Sequence, residues 1–286
     1  MPAEKHPQIA VSSWSVHHLL GITFANGPGQ ISTGVPEPSF GQGTLALLDL
    51  PAALARRRYH RAEICHFHLA SRESAYLNRV REAFQNSGVV IQTLLIDDGD
   101  ITNPATRDRD MKWIKDWIDA AAVLGAENAR VVAGKAKPTP EALALSVDGL
   151  AAMVKLGGAR GVRIVTENWF DLLSSPRAVH HVLDAVGGGL GFLADTGNWH
   201  GAAKYDDLKS IFARAELCHA KCSFGPGLVM DDVDYGRCMK AADEAGYAGP
   251  LTLIFDSPGN EWRGLDVERK FILDRLSGLH TARAAG

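Results

Sequence analysis

Three residues able to hold a metal ion stand near the ends of three successive β-rich runs. They are Glu167 in "RIVTEN", Asp195 in "GFLADTGN" and His219 in "LCHAKC". Two carboxylates and one imidazole suit a hard or borderline divalent ion rather than a thiolate-bound metal: Mn²⁺ first, with Mg²⁺, Fe²⁺, Co²⁺ or Zn²⁺ also accepted. A fourth acid, Asp256, ends the apolar run "GPLTLIFD", where Thr252, Ile254 and Asp256 share one strand face.

Other side chains could act beside these. Lys221 follows His219 by two positions, so it shares that face and could steady a developing oxyanion; ion pairing is the alternative. His66 and His68 in "EICHFHL" read as one strand face, able to meet substrate or to serve as core histidines, with His68 an auxiliary proton donor. Trp14, Trp169, Trp199 and Trp262 each follow or end a strand candidate, and aromatic faces suit a sugar or cyclitol ring or the aglycone of a glycoside. Asp97, Asp98 and Asp100 read as a turn, with contact to a sugar hydroxyl the alternative, Arg130 as structural, and Cys218 and Cys222 as small buried hydrophobes.

The elements that must position these residues repeat along the chain. Strand candidates cover 9–14, 62–69, 89–96, 129–134, 162–168, 190–196, 216–222 and 250–256. Helical periodicity lies between them: Val179, Val182, Leu183 and Val186 before Gly187, Met111, Ile114, Ile118 and Ala121 before Gly125, and Leu77, Val80 and Phe84 before Gly88. Eight strands, each followed by a helix, predict a single (β/α)8 TIM barrel over residues 1–286, whose strand ends converge on one mouth. No G-x-G-x-x-G follows the first strand, which disfavours a doubly wound sheet. The Gly/Pro/Ser-rich stretch 20–43 would form a long loop over that mouth, as a lid or a plain insertion.

Composition narrows the partners. The 286 residues are 46% hydrophobic and carry a net charge of −3, with a pI near 6.4. There is no basic surplus for a phosphate backbone, so nucleic acid is a poor partner. The uninterrupted apolar runs fall short of the ~18 residues that cross a bilayer, the N-terminal residues lack a signal-peptide core, and four cysteines make no disulfide scaffold. The expectation is a cytoplasmic protein that binds a small carbohydrate, cyclitol or glycoside, without nucleic acid or membrane.

At these residues the sequence resembles the xylose isomerase-like TIM barrels, which include sugar phosphate isomerases and epimerases. The resemblance rests on "TENW" at 166–169, "ADTGN" at 194–198, "HAK" at 219–221 and "GYAGPLTL" at 246–253. It implies a divalent metal held by Glu167, Asp195, His219 and a glutamate on the last strand, and a homo-oligomer. That last position is Ile254 here, so the resemblance makes Asp256, two residues on, the replacement as ligand or base. A histidine of the family pattern is replaced by Asn198, with His200 nearby, and both join the substrate-binding candidates. No arginine follows in "HAKCSFGPG", which disfavours a phosphorylated substrate.

The resemblance implies an isomerase or epimerase that moves a proton next to a carbonyl, with Glu167 or Asp256 as base. A lyase on the same scaffold, dehydrating an inosose- or dehydroshikimate-type substrate or eliminating from an oxidised glycoside, is the alternative. A non-catalytic carbohydrate-binding barrel is the third reading. The DNA-repair branch of the family is set aside, because its larger ligand set is not recognisable and the charge is wrong.

Overall fold

The structure, a computed structural model, describes residues 8–30 and 34–284, with side chains to residue 275. Eight parallel strands close a barrel: β1 (Ile9–Ser12), β2 (Arg61–Cys65), β3 (Val90–Ile96), β4 (Asn128–Val131), β5 (Arg163–Glu167), β6 (Gly191–Asp195), β7 (Leu217–Cys222) and β8 (Leu251–Phe255), with β8 pairing back to β1. The outer helices are α1 (Leu50–Arg56), α2 (Ser74–Asn86), α3 (Arg107–Leu124), α4 (Pro140–Arg160), α5 (Pro176–Val186), α6 (Lys204–Phe212), α7 (Asp232–Glu244) and α8 (Glu261–Ala284). The expected (β/α)8 barrel is what forms.

Helix limits follow local chemistry. Thr139 and Ser175 cap the backbone N–H of Ala142 and Ala178, each followed by a proline at the first helical position. Gly125 ends α3 at φ +71°, a left-handed conformation that costs glycine nothing.

Alternation along each strand sorts its side chains. Phe192 and Ala194, Cys218 and Ala220, and Leu251, Leu253 and Phe255 join the large core between strands and helices. Val165, Leu193 and Leu217 form a separate cluster on the opposite faces, within the barrel. Two residues further along those same faces come Glu167, Asp195 and His219. The apolar layer thus forms a floor beneath three polar strand ends.

Three expectations change. Strand β1 ends at Ser12, whose hydroxyl caps the Trp14 N–H and turns the chain into a 3-10 helix, Ser13–Val16. Strand β2 ends at Cys65, so His66 and His68 occupy a 3-10 turn rather than one strand face. Helix α4 is long and apolar enough, by length and composition, to cross a membrane, unlike the runs weighed in the sequence. In the fold it packs on β5, α3 and α5, with Leu150 and Met153 buried.

The described part of stretch 20–43 is anchored. It forms the hairpin Thr23–Phe24 with Pro36–Glu37. Asn26 Nδ2 donates to the Leu69 carbonyl, and its own carbonyl accepts from Trp113 Nε1, both at 2.7 Å. Phe40 meets the Trp14 ring edge-on, 5.6 Å between centroids. Residues 31–33 of this stretch lie outside the described residues.

Candidate active site

The register of β6 and β7 sets Asp195 beside His219, and Glu167 ends the adjoining strand β5. One donor atom from each of Glu167, Asp195 and His219 lies within 4.8 Å of the others, and all three residues are buried. His219 Nδ1 is 3.5 Å from Asp195 Oδ2 and 3.6 Å from Glu167 Oε1. Its Nε2 donates to Glu63 Oε2 at 2.8 Å. A ring whose Nε2–H is committed presents Nδ1 to the two carboxylates.

Glu63 was not singled out in the sequence. It sits on the inward face of β2, fully buried, where Oε1 accepts from Gln92 Nε2 at 3.0 Å and Thr93 Oγ1 at 2.8 Å. Gln92 also accepts from Arg61 Nε and donates to Thr252 Oγ1. This network fixes Glu63, and through it the imidazole. The available signal was a charged residue between Ala62 and Ile64, in an apolar strand.

Arg130, read as structural, and Asp97, read as a turn residue or a sugar contact, both line the mouth cavity. Arg130 is buried, ion-paired with Asp97 and with its Nε 3.0 Å from Glu167 Oε2, and its guanidinium lies over the Trp169 ring, 4.8 Å from the centroid. Burial would raise the Asp97 pKa, but Arg130 outweighs it and holds the carboxyl at about 2. Glu167 behaves alike: burial pushes it up, and Arg130 and His219 bring it below its ordinary value. Asn198 Nδ2 donates to Glu167 Oε1 at 2.8 Å. Asp195 is oriented by the Gly197 N–H at 2.6 Å and by backbone bonds to the Asn168 amide.

These residues fit a divalent cation. Burial opposes a charge on His219, but Glu63 and Glu167 outweigh it and raise its pKa well above the ordinary value. The carboxylates of Glu63, Asp97, Glu167 and Asp195 face Arg130 and His219, an excess of negative charge. Glu167 Oε2 is buried without a hydrogen bond among the described residues, because Arg130 Nε is near it but out of line. An oxygen-rich site with one imidazole is what Mn²⁺ or Mg²⁺ accepts.

The donors open into a mouth cavity of about 240 Å³. Trp14, Trp169, Asn198, Lys221, Ile254 and Asp256 line it with the metal-capable residues. Lys221 Nζ donates to Asp256 Oδ2 at 2.8 Å, across paired strands β7 and β8. Burial would lower the Lys221 pKa, but the hydrogen bond to Asp256 outweighs it and the ammonium is stabilised. Asp256 therefore sits in the mouth as half of an ion pair, outside the close donor set of Glu167, Asp195 and His219.

The remaining candidates lie elsewhere. His66 is packed edge-on to Trp113 and Trp117, and its Nδ1 accepts from the Asp97 N–H. His68 bonds Ser13 Oγ at 2.9 Å and faces a separate apolar cavity with Leu20 and Tyr76. Burial lowers its pKa to about 3, so the ring is neutral at neutral pH and offers no imidazolium proton. Trp199 is buried, its Nε1 bonded to the Leu173 carbonyl. Trp262 lies under Arg57, 4.4 Å from its ring, beside Leu19 and Ala53 and away from the mouth cavity. His200 lines a groove adjoining the mouth cavity rather than the cavity itself.

The model of the family described as xylose isomerase-like TIM barrel matches residues 52–272. The chain belongs to that family. Its fold is shared by a xylose isomerase-like TIM barrel protein from Mycobacterium smegmatis, solved in complex with magnesium, at 14% identity and TM-score 0.67, covering 96% of this chain and 98% of that one. A 3-keto-D-glucoside 4-epimerase from E. coli aligns at 12% identity and TM-score 0.64, over 93% and 100% of the two chains. A D-tagatose 3-epimerase-like protein aligns at 14% identity and TM-score 0.66, over 95% and 99%. No curated protein matches the sequence. The solved structures that share this fold thus include sugar epimerases, and at these identities the likeness shows the fold.

Proposed function

We propose that this protein is a divalent-metal-dependent sugar or polyol isomerase or epimerase, moving a proton next to a carbonyl through an enediolate. One observation carries the reading: the buried donors of Glu167, Asp195 and His219 converge within 4.8 Å at the base of a cavity whose other wall bears the Lys221–Asp256 pair. A bound divalent ion would supply Lewis-acid polarisation of the substrate carbonyl. Glu63 would hold the imidazole ring in place for it.

The chain's own residues divide the remaining work. Glu167, held as a carboxylate by Arg130 and Asn198, is a ligand and a poor base. Asp256 is the carboxylate placed to take a substrate proton, and Lys221 donates to the oxygen on which charge develops. Trp14 and Trp169 present aromatic surface to a sugar ring. The neighbours' sugar-epimerase names and the magnesium complex support the same chemistry.

Ile254 favours a second reading, a lyase. It lies in the cavity wall where the resemblance places a second acid, so only the Lys221–Asp256 side can handle protons. One-sided removal of a proton suits elimination as well as isomerisation. Metal analysis and reaction in D2O test both. An isomerase keeps its substrate's formula and exchanges solvent deuterium into it; a lyase releases water or an aglycone. Absence of any stoichiometric divalent ion, with Asp195→Ala leaving turnover unchanged, sinks both enzymatic readings.

A further inference from the structure

Beside the mouth cavity runs a second, larger space of about 580 Å³, an open groove lined by the loops after β6 and β7 and by the first turns of α6 and α7. Both loops leave the C-terminal ends of their strands, so the groove opens on the same face as the mouth. Lys221 lines both spaces, so the two meet at its side chain. Gly197 makes that possible: a Cβ there would come within 2.7 Å of Lys221 Cδ and 3.1 Å of its Cβ, displacing the side chain from Asp256.

The groove is built and polar. Lys204 Nζ bonds both oxygens of Asp234 at 2.8 Å, Tyr205 donates to Asp234 Oδ1 at 2.7 Å, and Arg237 lies 3.6 Å over the Tyr205 ring. Those bonds fix one wall. Other lining groups keep hydrogen-bonding capacity: the His200 ring, which acts on Asp234 through its charge, and the Ser223 hydroxyl form no hydrogen bond within the described residues. Val233 stands in the lining with 70% of its surface exposed. Hydrogen-bonding groups around one exposed apolar side chain match a sugar ring, with its polar rim and apolar C–H face.

We propose that this groove is a second sugar subsite, and that the substrate is a disaccharide or comparable glycoside whose reacting ring occupies the mouth. The mouth cavity, about 240 Å³, has space for one small ring, and the groove takes the attached ring. Lys221 then lies at the junction, next to the linking oxygen. This rests on the carbohydrate reading of the mouth and sets the size of substrate that reading requires.

The test compares binding of D-glucose with cellobiose and sucrose to the Mn²⁺-loaded protein, by calorimetry or saturation-transfer NMR. At least one disaccharide should bind tenfold or more tightly than the monosaccharide. Val233→Trp, at an exposed position, fills the groove and should remove that advantage while leaving Mn²⁺ stoichiometry and monosaccharide binding unchanged; Ser223→Arg gives a second block. Equal binding of one ring and two, or an advantage that survives both blocks, overturns the subsite and leaves the mouth reading standing. No saccharide binding to a protein that holds Mn²⁺ overturns the subsite and the carbohydrate reading together.

Discussion

Glu63 and His219 lie 156 positions apart in the chain and 2.8 Å apart in space, carboxylate to Nε2. The contact commits one ring nitrogen and aims the other at Glu167 and Asp195. Glu63→Gln keeps the size and removes the charge. Divalent-ion affinity should fall by about 10–100-fold, read by metal titration, with the circular dichroism of the barrel retained. An unchanged Kd would show that Glu63 does not tune the site.

The ion should also be visible in stability, because it binds the folded donors and not the unfolded chain. At a concentration 100 times its Kd the gain is about 2.7 kcal/mol, roughly 5–10 °C for a domain of this size. Chelation should lower the wild-type Tm by that amount and leave Asp195→Ala unmoved. Equal melting of the wild type with and without chelator would refute the metal centre.

Lys221 and Asp256 are separable from the metal. Lys221→Met and Asp256→Asn should each reduce turnover on the order of 100-fold while the purified proteins keep wild-type metal content. If the two act as one unit, the double variant should be little worse than either single one. Loss of bound metal in Asp256→Asn would instead make Asp256 a ligand.

Glu268 offers a pH prediction away from the site. It is 0% exposed in α8 and neither carboxylate oxygen has a hydrogen bond among the described residues. Burial pushes its pKa well above the ordinary value. The folded state therefore keeps a proton that the unfolded chain releases. Stability is full below the unfolded pKa of about 4.3 and declines as pH rises from there toward the folded value. Glu268→Leu should flatten that decline and raise stability at pH 8 by on the order of 1–3 kcal/mol. Urea melts at pH 5 and pH 8 decide it, and an identical pH slope in both proteins would count against the assignment.

Much of this protein was legible in its residues. Apolar runs alternating with helical periodicity give a barrel, and a barrel brings Glu167, Asp195 and His219 to one mouth without any knowledge of partners. The aromatic residues divided for a reason the sequence does not hold. Trp14 reaches the mouth because Ser12 ends β1 and turns the chain, whereas Trp199 and Trp262 rotate into packing with Leu173 and Arg57. His68 illustrates the same limit, since its depth of burial depends on how stretch 20–43 folds over it.

Two-residue periodicity by itself determined which face each strand residue takes, and therefore that acids, a histidine and a lysine would point inward. Only the closed barrel decided what each meets there. Barrel closure and register set Glu63 against His219, Arg130 between Asp97 and Glu167, and Lys221 against Asp256. Periodicity is local to a strand, while the partner of an inward side chain is fixed by the stagger of strands far apart in the chain.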